Sequence, residues 1–170
     1  INGGQIHVSN SVFDRYRNAI QIENYNPTQV SNYSSSTSPL TLYGNLFRGG
    51  PSIAPYLGHY SETSVKVINS GYVEIGKRNL GSNQFNPQPG LPVDRMGLAI
   101  SMTNSGGNIV NNEFFKINVI GSPSQTAAIM ATTNQHQAWI SPLQIGRLWT
   151  GGAAGDANHF DQGYQAIKTT

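Results

Sequence analysis

The sequence predicts an all-β solenoid, short strands wound into stacked coils, and three observations carry that prediction. First, an asparagine recurs two places before a phenylalanine, in GNLF (Asn45, Phe47), SNQF (Asn83, Phe85), NNEF (Asn112, Phe114) and ANHF (Asn158, Phe160). A relaxed copy, SNSVF, has Ser11 ahead of Phe13. Second, most copies are followed by a short segment built on Ala-Ile: Ala19-Ile20, Ala99-Ile100, Ala128-Ile129 and Ala166-Ile167. Third, apolar residues alternate with polar ones at the period of a strand, and no long stretch has helical spacing.

The elements follow in chain order. In QIHVS, Ile6 and Val8 point inward while Gln5, His7 and Ser9 point out. AIQIE sets Ile20 and Ile22 against Gln21 and Glu23, and SVKVI and YVEIG put Val65, Val67, Val73 and Ile75 inside. An aliphatic residue opens the first four of these corners: Val8, Leu42, Leu80 and Ile109. From Phe to the Ile of Ala-Ile is seven residues in the first and last units and fifteen in the third and fourth. In the second unit Val65 and Val67 take that role after a longer insertion. Length variation at one place is how loops grow between strands of fixed geometry.

Stacking explains the repeat. Equivalent residues of successive coils lie about 4.8 Å apart, so each inward Phe packs on the next. A corner Asn can bond along the stack and satisfy backbone groups that a tight turn leaves bare. The alternative is an antiparallel sandwich that shares Asn-x-Phe by chance, and the repeated order of the two segments argues against it. Phe-to-Phe spacings of 29 to 46 residues also differ from short, strict hexapeptide repeats. The expectation is one domain over residues 1–170, a solenoid of about five irregular coils with long loop insertions. Both ends read as mid-coil, which predicts a segment of a longer chain.

Composition narrows the partners. Charged residues are 11% of 170 and the net charge is +2, so neither nucleic acid nor membrane attraction is expected. No apolar run reaches the roughly 20 residues of a membrane-spanning helix, and the start lacks the basic and apolar regions of a signal peptide. The absence of cysteine removes thiolate catalysis and cysteine-bearing zinc sites. No cofactor or metal is expected: GGAAGD lacks the lysine and context of a phosphate loop, and GDANHFDQGY reads as an Asp-rich turn with His159 as an outward spacer.

The aliphatic-x-x-Asn-x-Phe rung followed by a short aliphatic strand resembles the right-handed parallel β-helix of the pectate-lyase-like superfamily. The irregular coils and Ser/Gly/Thr-rich insertions are similar to bacteriophage tailspikes and capsule depolymerases. That resemblance implies a homotrimer on the virion that binds, and often cleaves, a bacterial surface polysaccharide such as O-antigen or capsule. The calcium-binding Asp cluster of the pectate lyases proper is missing. A secreted polysaccharide lyase or glycoside hydrolase, and a non-catalytic β-helical stalk or adhesin, stand as alternatives.

Glycoside hydrolysis needs two carboxylates about 5–9.5 Å apart. Asp14 and Glu23 flank one strand and are the candidate pair, with Arg17 and the outward His7 nearby for an acidic sugar; Glu74 or Asp94 are stacking partners. Against this, Asp14, Arg15 and Arg17 also read as ordinary solvated turn charges. The insertions at residues 25–41, 48–64 and 86–97 are candidate recognition loops. A flat ring offers an apolar face to a pyranose, so Tyr33, Tyr56, Tyr60 and Trp139 are the candidate sugar contacts. Trp149 reads as core.

Overall fold

The structure is a computed structural model that describes residues 6–14, 16–25, 40–48, 50–51, 61–77, 80–87, 94–115, 117, 127–133, 142–146, 157–161 and 166–170. Among them there is no helix, and hence none long and apolar enough to cross a membrane. The chain instead makes five passes, each laying one strand into each of three parallel sheets.

The first pass is β1 (Ile6–Ser9), β2 (Val12–Asp14) and β3 (Asn18–Glu23). The second is β4 (Leu40–Tyr43), β5 (Leu46–Arg48) and β7 (Ser61–Ile68), with the short β6 (Gly50–Pro51) between the last two. The third is β8 (Val73–Ile75), β9 (Asn83–Phe85) and β10 (Asp94–Thr103). The fourth is β11 (Gly107–Ile109), β12 (Asn112–Phe115) and β13 (Ile129–Thr132), and the fifth β14 (Leu143–Ile145), β15 (His159–Asp161) and β16 (Ile167–Thr169). Sheet A runs β1-β4-β8-β11-β14, sheet B β2-β5-β9-β12-β15 and sheet C β3-β7-β10-β13-β16. This order is consistent with the expected parallel β-helix, and the one antiparallel contact among these strands joins β6 to Asp94 and Arg95 of β10.

Register places like on like. Phe13, Phe47, Phe85, Phe114 and Phe160 are successive partners in sheet B. Their rings stack with centroids 4.8–4.9 Å apart and planes within 3–8° of parallel. The strand spacing thus equals a favourable ring spacing, so backbone pairing and aromatic contact reinforce each other. In sheet C, Ile20, Val65, Ile100, Ile129 and Ile167 align, which confirms that Val65 stands in for the missing Ala-Ile.

At the A–B corner the asparagines form a directional ladder. Asn45 Nδ2 donates to Asn83 Oδ1 at 3.1 Å, Asn83 Nδ2 to Asn112 Oδ1 at 2.8 Å and Asn112 Nδ2 to Asn158 Oδ1 at 3.0 Å. The backbone N–H groups of Ser11, Asn45 and Asn112 donate to Asn45, Asn83 and Asn158 Oδ1. Each amide also reaches back one coil to an aliphatic carbonyl: Asn45 to Val8, Asn83 to Leu42, Asn112 to Ile75 and Asn158 to Ile109.

That last series corrects one alignment. The third-coil aliphatic is Ile75, fully buried and in register with Leu42 and Ile109, not Leu80, which is 41% exposed. Seven residues, 76–82, separate Ile75 from its Asn where the first, second and fourth coils have two, so constant spacing from Asn pointed to the wrong residue. The expected loop edges also shift. Leu40–Thr41, Ser61–Ser64 and Asp94–Gly97 belong to strands, because β7 and β10 pair out to Ser61 and Met96.

A second ladder closes the turn after sheet C. Ser105 Oγ accepts from Ser70 N–H at 3.0 Å, Ser70 Oγ accepts from Tyr25 N–H at 3.3 Å, and Asn104 Nδ2 donates to Asn69 Oδ1 at 3.3 Å. Every non-glycine residue with positive φ among those described is Asn: 10, 24, 69, 86, 104 and 111, at φ 46–57°. Asn tolerates this left-handed region because its short amide bonds locally. Gly76, at φ 84°, has the further reason that a Cβ would collide with the Val110 carbonyl oxygen.

Candidate functional site

With the core residues turned inward, the alternate positions form rows on the outer faces. On sheet B the spacer of each Asn-x-Phe rung defines the row Val12, Leu46, Gln84, Glu113 and His159. Its character changes from apolar to polar along the stack. Glu113 is held by two donors, Ser82 Oγ at 2.8 Å on Oε1 and Gln84 Nε2 at 2.9 Å on Oε2. His159, exposed, is its register partner on the next coil. One position past the Phe stack, Asp14 aligns with Arg48, whose buried Nε has no hydrogen-bond partner among the described residues.

Sheet A carries the row His7, Thr41, Glu74, Asn108 and Gln144. Val73 and Ile75 on either side of Glu74 are in the core, yet Glu74 is itself only 4% exposed and Thr41 is fully buried. Burial raises the Glu74 pKa above the ordinary carboxylate value, while the Lys77 charge and a hydrogen bond from Thr41 pull it back down. Thr41 Oγ1 donates to Glu74 Oε2 at 3.5 Å. Beside it Asn108 Nδ2 donates to Tyr72 Oη at 2.8 Å. A buried carboxyl with a raised pKa is suited to give up a proton, whereas Glu113, fixed by two donors, is held in one orientation on the outer face.

Sheet C carries Gln21, Lys66, Ser101, Met130 and Lys168. Gln21 Nε2 donates to Glu23 Oε1 at 2.7 Å. Among the described residues no cluster of three or more His, Asp and Glu could hold a metal ion.

The sequence candidates are spread over this framework. His7 is exposed on sheet A, Asp14 closes β2 in sheet B, Arg17 is exposed in the turn leading to β3, and Glu23 is exposed at the end of β3. The six residues of β3 span about 16 Å and lie between Asp14, at the end of β2 in sheet B, and Glu23, at the far end of β3 in sheet C, so the two do not share one patch. Tyr33, Tyr56, Tyr60 and Trp139 lie outside the described residues, as do Arg15 and Asp156. Glu113, Gln84, Ser82 and Arg48 did not figure among the candidates. The signal for the first two was present: the spacer in each Asn-x-Phe must face out, and spacers of successive coils must adjoin.

Fold and faces together define a β-solenoid of three parallel sheets with polar outer rows at inter-strand spacing. No protein family, curated protein or solved structure matches the chain.

Proposed function

We propose that this chain is a segment of a bacteriophage tailspike or tail fibre that binds a bacterial surface polysaccharide, O-antigen or capsule, as a homotrimer on the virion. The carrying observation is the outer row of sheet B, where Gln84, Glu113 and His159 repeat at the strand spacing on a rigid support. A repeating polymer of hydroxyl-rich units is recognised well by a repeating row of amide, carboxylate and imidazole groups, positioned by a stack that does not have to reorganise. The scarcity of charge fits a sugar better than a polyphosphate or a membrane. Three linked copies would raise weak single-site affinity by about 10²–10⁴ where geometry allows simultaneous contact. Right-handed winding is part of this reading, supported by the general preference for right-handed connections between parallel strands of one sheet.

Cleavage is a second reading, favoured by one observation: Glu74 is a buried carboxyl of raised pKa on the face beside sheet B. In it Glu74 is the proton donor of a polysaccharide depolymerase.

Both readings are tested by incubating the protein with purified O-antigens and capsules while following co-sedimentation and new reducing ends. Binding weakened at least tenfold by Gln84→Ala with Glu113→Ala, in a variant of unchanged fold, supports the first. Reducing ends that vanish in Glu74→Gln support the second. Failure to retain any polysaccharide ends both and leaves the stalk or adhesin.

A further inference from the structure

Arg48 is the only Lys or Arg on the strands of sheet B, and among the described residues it is bonded to nothing. Building on the polysaccharide reading above, we infer that Arg48 receives the carboxylate of an acidic sugar, and that the polymer, lying along the stack, carries its acid on one unit with neutral units following.

The state of Arg48 does not come from a chain end, because it lies on the second coil with strands paired on both sides of β5. It follows the inward Phe47 and so starts from the outer face, half-buried. Asp14 is its register partner, yet no hydrogen bond or ion pair joins the two. On the other side Asn86, the residue after Phe85, commits its amide to the Phe115 carbonyl at 3.1 Å. A cation drawn partly out of water with an unused Nε–H is costly to the free protein. A carboxylate removes that cost: once the head group turns outward, Nε–H and one Nη–H form a fork that matches its two oxygens.

The rest of the face sets which sugar follows. One strand beyond Leu46 and Arg48 comes Gln84, and one further come Glu113 and the half-buried Phe115. An extended polysaccharide advances by roughly one strand spacing for each pyranose, and β5 and β12 lie two spacings apart, about 9.6 Å. With its acid on Arg48, the polymer therefore sets its next unit at Gln84 and the one after at Glu113. Gln84 and Glu113 suit hydroxyls, and the Phe115 ring offers an apolar face beside them. A second acid at Glu113 meets like charge, as it does at Asp161 on the fifth coil. The face thus favours a heteropolymer over a polyuronate. Asp14, one strand from Arg48, is the adverse neighbour for the bound acid.

The probes are purified capsules with one uronic acid per repeating unit, the same capsules after carboxyl reduction, neutral O-antigens and polygalacturonate, each followed by co-sedimentation. A native uronate-bearing capsule should be retained, at least about tenfold more tightly than its reduced form or polygalacturonate. Arg48→Gln, with an unchanged circular dichroism spectrum, should weaken the native capsule by a similar factor and leave the reduced one unaltered, and Arg48→Lys should recover only part. Asp14→Asn, at an exposed position with Arg48 intact, should tighten binding of the native capsule alone about two- to fivefold. Neutral O-antigens, reduced capsules or polygalacturonate held as tightly as native capsules would overturn this inference and leave polysaccharide binding standing. Retention of no polymer at all would end both.

Discussion

Asn83 accepts from one neighbour and donates to another: its Oδ1 receives Asn45 Nδ2 at 3.1 Å while its own Nδ2 reaches Asn112 Oδ1 at 2.8 Å. The same side chain takes the Asn45 backbone N–H and gives to the Leu42 carbonyl. Four bonds therefore pass through one fully buried amide.

Asn83→Ala leaves the Asn45 N–H buried without its acceptor, while the Leu42 carbonyl keeps the Gly76 N–H at 2.6 Å. One such orphaned group costs about 1–3 kcal/mol, which is the expected loss. Urea unfolding should show a lower midpoint with an unchanged slope. At the end of the ladder the effect reverses: Ser11→Asn adds an amide that can donate to Asn45 Oδ1, a gain of about 0.5–1.5 kcal/mol. A destabilised Ser11→Asn would mean that the rung geometry does not extend to the first coil.

The Phe column predicts a gradient. Phe85→Ala removes a fully buried ring and should cost about 3–5 kcal/mol, whereas Phe13→Ala and Phe160→Ala, at part-exposed ends, should cost clearly less. Equal losses at all three positions, measured by denaturant titration, would contradict the stack.

Glu74 gives stability a pH dependence of definite sign. Its folded-state pKa lies above the unfolded value, chiefly through burial, so between those values the folded chain holds more protons. Stability then falls as pH rises through and above the ordinary carboxylate range, and the loss persists at neutral pH. Glu74→Gln lacks this fall. It should be more stable than the parent at pH 7, with the gap narrowing toward pH 4, as read from urea midpoints at each pH. Parallel pH profiles would show that the carboxyl is not buried in solution.

Two glycines separate strain from collision. Gly146→Ala meets no atom of the described residues within 4 Å and should cost only the left-handed strain of φ 75°, about 1–2 kcal/mol. Gly76→Ala adds a clash with the Val110 carbonyl and should cost clearly more, or prevent folding. Comparable melting temperatures for the two variants would show that coil four does not press on the turn at Gly76.

Legibility followed periodicity. Phe47, Phe85 and Phe114 were recognisable as one column because the Asn, its spacer and the ring keep constant separation wherever they occur. The second ladder was equally visible as Asn69-Ser70-Gly71 and Asn104-Ser105-Gly106, but two copies make a weaker pattern than five. Ile75 was missed because seven residues, 76–82, stand before Asn83 where the first, second and fourth coils have two, and only hydrogen bonds and register restore the match. Asp14 and Glu23 looked like a pair because they flank one strand of the first coil. A strand of six residues keeps them apart in space.

By itself the sequence determined the strand period, the inward rings and the corner amides, since these are local patterns that recur with each coil and need no knowledge of loop length. Which outer side chains adjoin was decided only by the tertiary structure. The outer faces tolerate almost any residue, and the register of Gln84, Glu113 and His159, or the burial of Glu74, depends on how insertions of different length return the chain to the stack. Core packing sets that register, and the outer rows inherit it.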